Sequence, residues 1–173
     1  MRRLIDNCVG EIRLAALIAT IVQNLPAILF VAALVTGYLR RGNSLSHSLL
    51  EWLLLLSVGV DSLWAGFFHI AFPQVAASAI GWQVSPFQFE IGVADAAAGV
   101  VAVLSFWRSF AFKAAIALYA VLFYIGVAYG HFHQALANGD YSPDNFGLLL
   151  VVTLLHIVML PWLLWKASRE PQV

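Results

Sequence analysis

The chain has 173 residues, of which 62% are hydrophobic and only 10% charged, with a formal net charge of zero. A soluble domain carries about 25% charged residues, so at a mean hydropathy of +0.87 water is not the only solvent of this chain. The lack of any basic tract excludes nucleic acid as an expected partner, and the single cysteine, Cys8, excludes an internal disulfide and any multi-cysteine metal or redox motif.

The opening segment, MRRLIDNCVGEIR, mixes acids with its basic residues, and no small-residue cleavage pattern follows the apolar run after it. It is therefore expected to be retained rather than removed as a signal peptide. The first apolar run, about 14–38, has VQNLP at its centre, and Pro26 removes a backbone donor there. This helix is expected to be kinked or re-entrant. A second run, about 48–71, holds Glu51, Asp61 and His69 before Pro73, and residues 74–84 form a short interfacial segment with Trp82 at headgroup level. The third run is about 86–107, the fourth about 112–133 and the fifth about 145–165, the last two joined by turn-forming HQALANGDYSPDN. Each run is close to the roughly 20 residues needed to cross a ~30 Å hydrocarbon core, and none alternates at period two as barrel strands do. The expectation is an all-α fold. It is a polytopic transmembrane helical bundle of four core spans, residues 48–165, plus the N-terminal hydrophobic helix, in one domain over 1–173.

Basic residues orient these spans. Arg40, Arg41, Arg108, Lys113, Lys166 and Arg169 fall on one face, whereas the loops 73–85 and 134–144 contain no Lys or Arg. The positive-inside rule puts the first set in the cytoplasm and the bare loops outside. Arg2, Arg3 and Arg13 then lie outside, unless the first run is re-entrant and both termini are cytoplasmic. The last four spans keep the same orientation either way.

Residue types inside the spans carry the chemistry. Ser85-Pro86-Phe87-Gln88 has the form of a helix start, with Ser85 at the N-cap, Pro86 at the first position and Gln88 as capping-box partner. Glu90 follows in the second turn, where the helix dipole alone favours a carboxylate. His69 near the end of the second span, Glu90 near the start of the third and His131 near the end of the fourth share one leaflet. Charge in hydrocarbon costs at least about 2.5 kcal/mol, so such groups normally face one another or water. Two imidazoles and a carboxylate suit zinc, iron or a similar divalent metal, and equally a metal-free proton or small-ligand site. The chain has no HExxH and no Glu-x-x-His pair. Haem would accept two histidines from different spans, but nothing else favours it. His133 lies about 200° from His131 on a helix, and His47 stands at an interfacial start.

A deeper set comprises Asp61, Asp95 and His156, as a proton path or as a satisfied packing network. Asp95 is about 140° round the helix from Glu90, so the two do not stack. The ADAAAG segment at 94–99 and the Gly126-x-x-x-Gly130 pair are expected to let helices approach closely.

The phrases FFHIAFPQVAASAIGW, SPFQFEIGVADAAAGVVAVLSFW and VAYGHFHQ resemble an uncharacterised family of small bacterial integral membrane proteins. That family is more loosely similar to DoxX-like four-helix membrane proteins. The resemblance covers about residues 55–160 and implies family positions for His69, Glu90 and His131. Phe68 stands where the family pattern has Gly, and Asp95 where it has Asn. The resemblance implies a bacterial inner membrane location, and by analogy a place in a larger membrane complex or a homo-oligomer within the lipid bilayer. The function expected is a small membrane protein with an outer-leaflet His/Glu site for a proton, ion or small ligand, serving by the same analogy as an accessory subunit of a larger membrane complex. The alternative is a metal-dependent or redox enzyme at the same residues.

Overall fold

A computed structural model describes residues 20–170 apart from 22 and 43. Cys8, Arg2, Arg3, Arg13 and the first part of the 14–38 run lie outside the described residues.

Helix α1, Leu25–Leu39, takes Pro26 in its first turn, where the missing N–H has no helical partner to lose. The preceding turn ends at Asn24, so the break falls at VQNLP, as its proline and amides predict. At about 1.5 Å per residue, the 15 residues of α1 fall short of a ~30 Å hydrocarbon core.

Helix α2, Leu45–Ala71, runs unbroken for 27 residues. Ser44 caps it, its hydroxyl accepting from the His47 N–H at 3.1 Å. Its middle, Leu53–Val60, is wound as a π-helix before α-geometry resumes at Asp61. The Asp61 N–H reaches back to the carbonyls of Leu56 and Val58. Pro73 stops α2 and opens the short α3, Pro73–Ile80. Gly81 closes α3 at φ +79°, with Gly81 N–H on Ser78 O and Trp82 N–H on Ala77 O, the paired bonds of a Schellman end.

Helix α4 is Pro86–Ser105, α5 is Phe110–Asn138 and α6 is Leu148–Ala167. Helices α2, α4, α5 and α6 are the four that are long and apolar enough to span a membrane. Four of the five expected apolar runs are therefore helices of spanning length, with shifted ends: α5 runs five residues beyond 133, and 145–147 belong to the turn before α6. Hydropathy misplaces the end of α5 because its last turns, HFHQALAN, are polar yet helical until Gly139 at φ +67° ends them.

The helix starts at 85–86 as expected, but the capping box at 85–88 does not form. Ser85 is extended and Pro86 opens the helix, but the Ser85 side chain makes no capping bond. Gln88 instead donates its side-chain N–H to Pro73 O at 2.7 Å, tying the start of α4 to the break between α2 and α3.

Helix α2 is central and packs against α1, α4 and α6. The core is apolar, with Leu50, Leu53 and Leu54 of α2 meeting Leu160 and Leu163 of α6 and Ala102 of α4. The outer surface is apolar too, carrying exposed Leu122, Leu136 and Val158, as lipid-facing helices do.

Candidate functional site

Helices α2 and α4 approach each other closely, and glycines allow it. A Cβ at Gly66 would stand 2.7 Å from Gly92 O and 2.8 Å from Ala96 N. One at Gly99 would meet Leu63 N at 2.8 Å and Gly59 O at 2.9 Å. Gly59 and Gly66, like Gly92 and Gly99, are seven residues apart, about two helical turns, and so share a face. The expected Gly126-x-x-x-Gly130 approach does not occur among the described residues: none of them lies within 4 Å of a Cβ at either position. Among the described residues no neighbouring helix packs against either glycine.

This seam brings the two mid-span carboxylates together. Asp61 of α2 and Asp95 of α4 are within electrostatic reach of each other. Tyr124 of α5 is close enough to feel both carboxylates, and Ser62 lies near its hydroxyl. Beyond it the Tyr124 ring lies against the ring of His156 from α6, centroids 5.1 Å apart, and Phe30 of α1 meets the other side of that imidazole edge-on at 5.2 Å. His156 is 1% exposed. Its Nδ1–H donates to Val152 O at 3.0 Å, which leaves the lone pair of the neutral ring on Nε2, a buried atom with no hydrogen-bond partner. All four ionisable residues fall in the middle third of their helices, at the depth where polar groups cost most. The expected deeper set of Asp61, Asp95 and His156 thus occupies one neighbourhood.

The three residues expected at one leaflet have separate surroundings. His131 is buried, and its Nδ1 lies 2.6 Å from Asn145 Oδ1. The Asn145 amide N–H donates to Asp140 O at 2.7 Å, so its oxygen accepts and His131 Nδ1 carries the proton. Asp140 in turn accepts from the Ser142 hydroxyl and backbone N–H, which hold its carboxyl below the usual carboxylate range. Burial pushes the neighbouring Asp144 carboxyl up, opposed by His131. The α5–α6 turn is closed from outside by α3: Asp144 N–H donates to Ala79 O, and a Cβ at Gly81 would touch Ser142 and Asp140.

His69 faces α4, where a Cβ at Gly92 would stand 2.9 Å from its own Cβ, and its buried Nδ1 has no hydrogen-bond partner. Glu90 is exposed. It precedes Gly92 by two residues, a rotation of about 200°, so it lies on the side of α4 turned away from α2 and His69. Among the described residues no group of three His, Cys, Asp or Glu is placed to hold a metal ion. His133 is in α5, exposed and against the Tyr129 ring. His47 lies edge-on to Phe110.

Tyr124, Ser62 and Phe30 were not expected at the site. Tyr124 had a legible signal: tyrosines favour membrane interfaces, and this one is mid-span in an apolar helix.

The fold and its centre define a small helical bundle with four apolar spans and an ionisable core where five helices meet. The chain belongs to the DUF6790 family, a family of unknown function whose model matches residues 19–173. No curated protein and no solved structure matches it. Membership agrees with the resemblance to an uncharacterised family, while no link to DoxX-like proteins is shown.

Proposed function

We propose that this protein is a multi-pass membrane protein that handles protons at the Asp61–Asp95 pair, with Tyr124 and His156 as the next groups along the path. The observation that carries this reading is that two carboxylates, each in the middle of a helix long and apolar enough to span a membrane, lie within electrostatic reach of each other across the α2–α4 seam. Carboxylates adjacent in hydrocarbon are held at least cost by sharing a proton or taking up a cation. Ionisable groups at that depth generally mark ion or proton routes. The bare Nε2 of His156 beyond Tyr124 supplies an acceptor on the far side of the phenol. The site is thus proposed deeper than the His69, Glu90 and His131 level, because Glu90 is turned away from His69 and His131 is engaged by Asn145.

The test is proton flux into liposomes reconstituted with purified protein and loaded with a pH-sensitive dye. Asp61→Asn and Asp95→Asn are each expected to slow uptake by about a hundredfold, the scale of a lost proton-transfer group. Infrared difference spectra across a pH step should lose a carboxyl band in the same variants. Wild-type flux no faster than that of empty liposomes, with unchanged carboxyl bands, would sink the proposal.

A further inference from the structure

The six basic residues of the loops gather at the end of the bundle where α1 leads into α2, α4 into α5, and α6 ends. There a cleft of about 790 Å³ opens between α1, α2 and the α4–α5 turn. Its lining includes Arg40, Arg41, Arg108 and Lys113 against one carboxylate, Glu51. Lys113 is buried and already committed, its Nζ 2.9 Å from Glu51 Oε1 and 2.8 Å from Arg108 O. Among the described residues, none of the three guanidiniums has a carboxylate partner, so the cleft carries uncompensated positive charge. The N-terminus of α5 adds to it, because Ser109, the residue preceding α5, lines the cleft; the start of α2 at Ser44 is already engaged by the Glu170 carboxylate. Its remaining walls are aromatic, with Trp52, Phe106 and Phe110. His47 also lines it and has a buried Nε2 without a hydrogen-bond partner.

We propose that this cleft binds a phosphate-bearing anion, and that in the membrane its occupant is the headgroup of an anionic phospholipid. Guanidiniums and helix N-termini are the donors that phosphate oxygens prefer. The aromatic walls suit the glycerol and upper acyl carbons that follow a lipid phosphate, and a free phosphate would leave them uncovered. Clusters of Arg and Lys at span ends recognise anionic headgroups on the same physical basis. This site is at the end of the spans, distinct from the mid-membrane acid pair.

The test uses full-length protein in an uncharged detergent, titrated separately with phosphatidylglycerol, phosphatidylcholine and inorganic phosphate, with adducts counted by native mass spectrometry. Saturable binding of phosphatidylglycerol is expected, with phosphatidylcholine and inorganic phosphate each at least about fivefold weaker. Arg40→Gln and Arg108→Gln are each expected to weaken phosphatidylglycerol binding about fivefold, the worth of one basic residue at an anionic surface. Circular dichroism and the unfolding temperature in detergent confirm that each variant folds; Arg108 is exposed, and Arg41→Gln provides a second exposed change if one fails. Equal binding of phosphatidylcholine, or unchanged affinity in folded arginine variants, would overturn the site. Tighter binding of inorganic phosphate than of the lipid would overturn the lipid as its occupant.

Discussion

Asn145 has no exposed surface and spends both ends of its amide, accepting from His131 and donating to Asp140 O. Removing a partner leaves a buried donor and carbonyl unsatisfied, at about 1–3 kcal/mol. Asn145→Ala is therefore expected to lower unfolding stability in detergent by that amount, and His131→Ala by a similar amount. The double variant should cost less than the sum, because both remove one hydrogen bond; strict additivity in chemical unfolding would show that the pair is not coupled. His131 also shows what sequence can and cannot give at this scale. Counting residues along a helix sets depth, and depth placed His69, Glu90 and His131 at one level. Azimuth decides contact, and the glycine face of α4 turns Glu90 away from α2. Asp61, Asp95 and His156 were visible because charge and imidazole stand out in an apolar run. Tyr124, which joins them, was hidden by its ordinary role as an interfacial residue.

Helix packing makes a sharper prediction, because the molecule contains both kinds of glycine. At Gly66 a methyl group would meet the backbone of Gly92 and Ala96, atoms that cannot swing aside. Gly66→Ala must push α2 and α4 apart, and overpacking of this kind typically costs about 1–3 kcal/mol. The same shift would separate Asp61 from Asp95, so loss of stability and loss of proton flux should appear together. At Gly126 and Gly130 a Cβ meets nothing within 4 Å, and Ala is the better helix former by about 1 kcal/mol. Gly126→Ala should be neutral or slightly stabilising in thermal unfolding; a large destabilisation would mean that another surface covers this face of α5. The sequence marks both glycine pairs as small residues in spans. The seven-residue spacing shared by α2 and α4 is the better guide, since it lines up two glycines on each of two faces that meet. The π-helix over Leu53–Val60 has no comparable sequence signal: LLLLSVGV is apolar whichever way it winds, and only its packing against α1 and α4 distinguishes the turns.

At the scale of the whole bundle, charge separates the two ends among the described residues. The loops at 40–44 and 106–109 and the end of α6 carry the cations, several of them over aromatic rings: Arg41 on Tyr38, Lys166 on Trp162 and Arg169 on Trp165. The other end has Asp140 and Asp144 and no Lys or Arg in its loops. That division was legible from the loop sequences, because a bilayer sorts basic residues by side. The bond that closes the cationic end was not, since it joins residues more than a hundred positions apart. Ser46 donates to one oxygen of Glu170 at 2.7 Å and Ser44 donates to the other, clasping the segment after α6 to the start of α2. These hydroxyls hold the Glu170 carboxyl below the usual range, with smaller help from His47 and Lys166. A carboxyl lowered in the folded state contributes stability above its unfolded pKa, and that contribution is lost as pH falls through the folded value. The clasp should therefore be intact at neutral pH and open only in acid, below the ordinary glutamate range. Amide exchange at residues 168–170 is expected to be slow at neutral pH and to quicken in acid beyond what intrinsic exchange chemistry gives. In Glu170→Gln a neutral amide can still accept one serine hydrogen bond, so exchange should be somewhat faster at neutral pH and should lose its acid step. A step of equal size in wild type and Glu170→Gln would place the pH-sensitive group elsewhere at this end of the bundle.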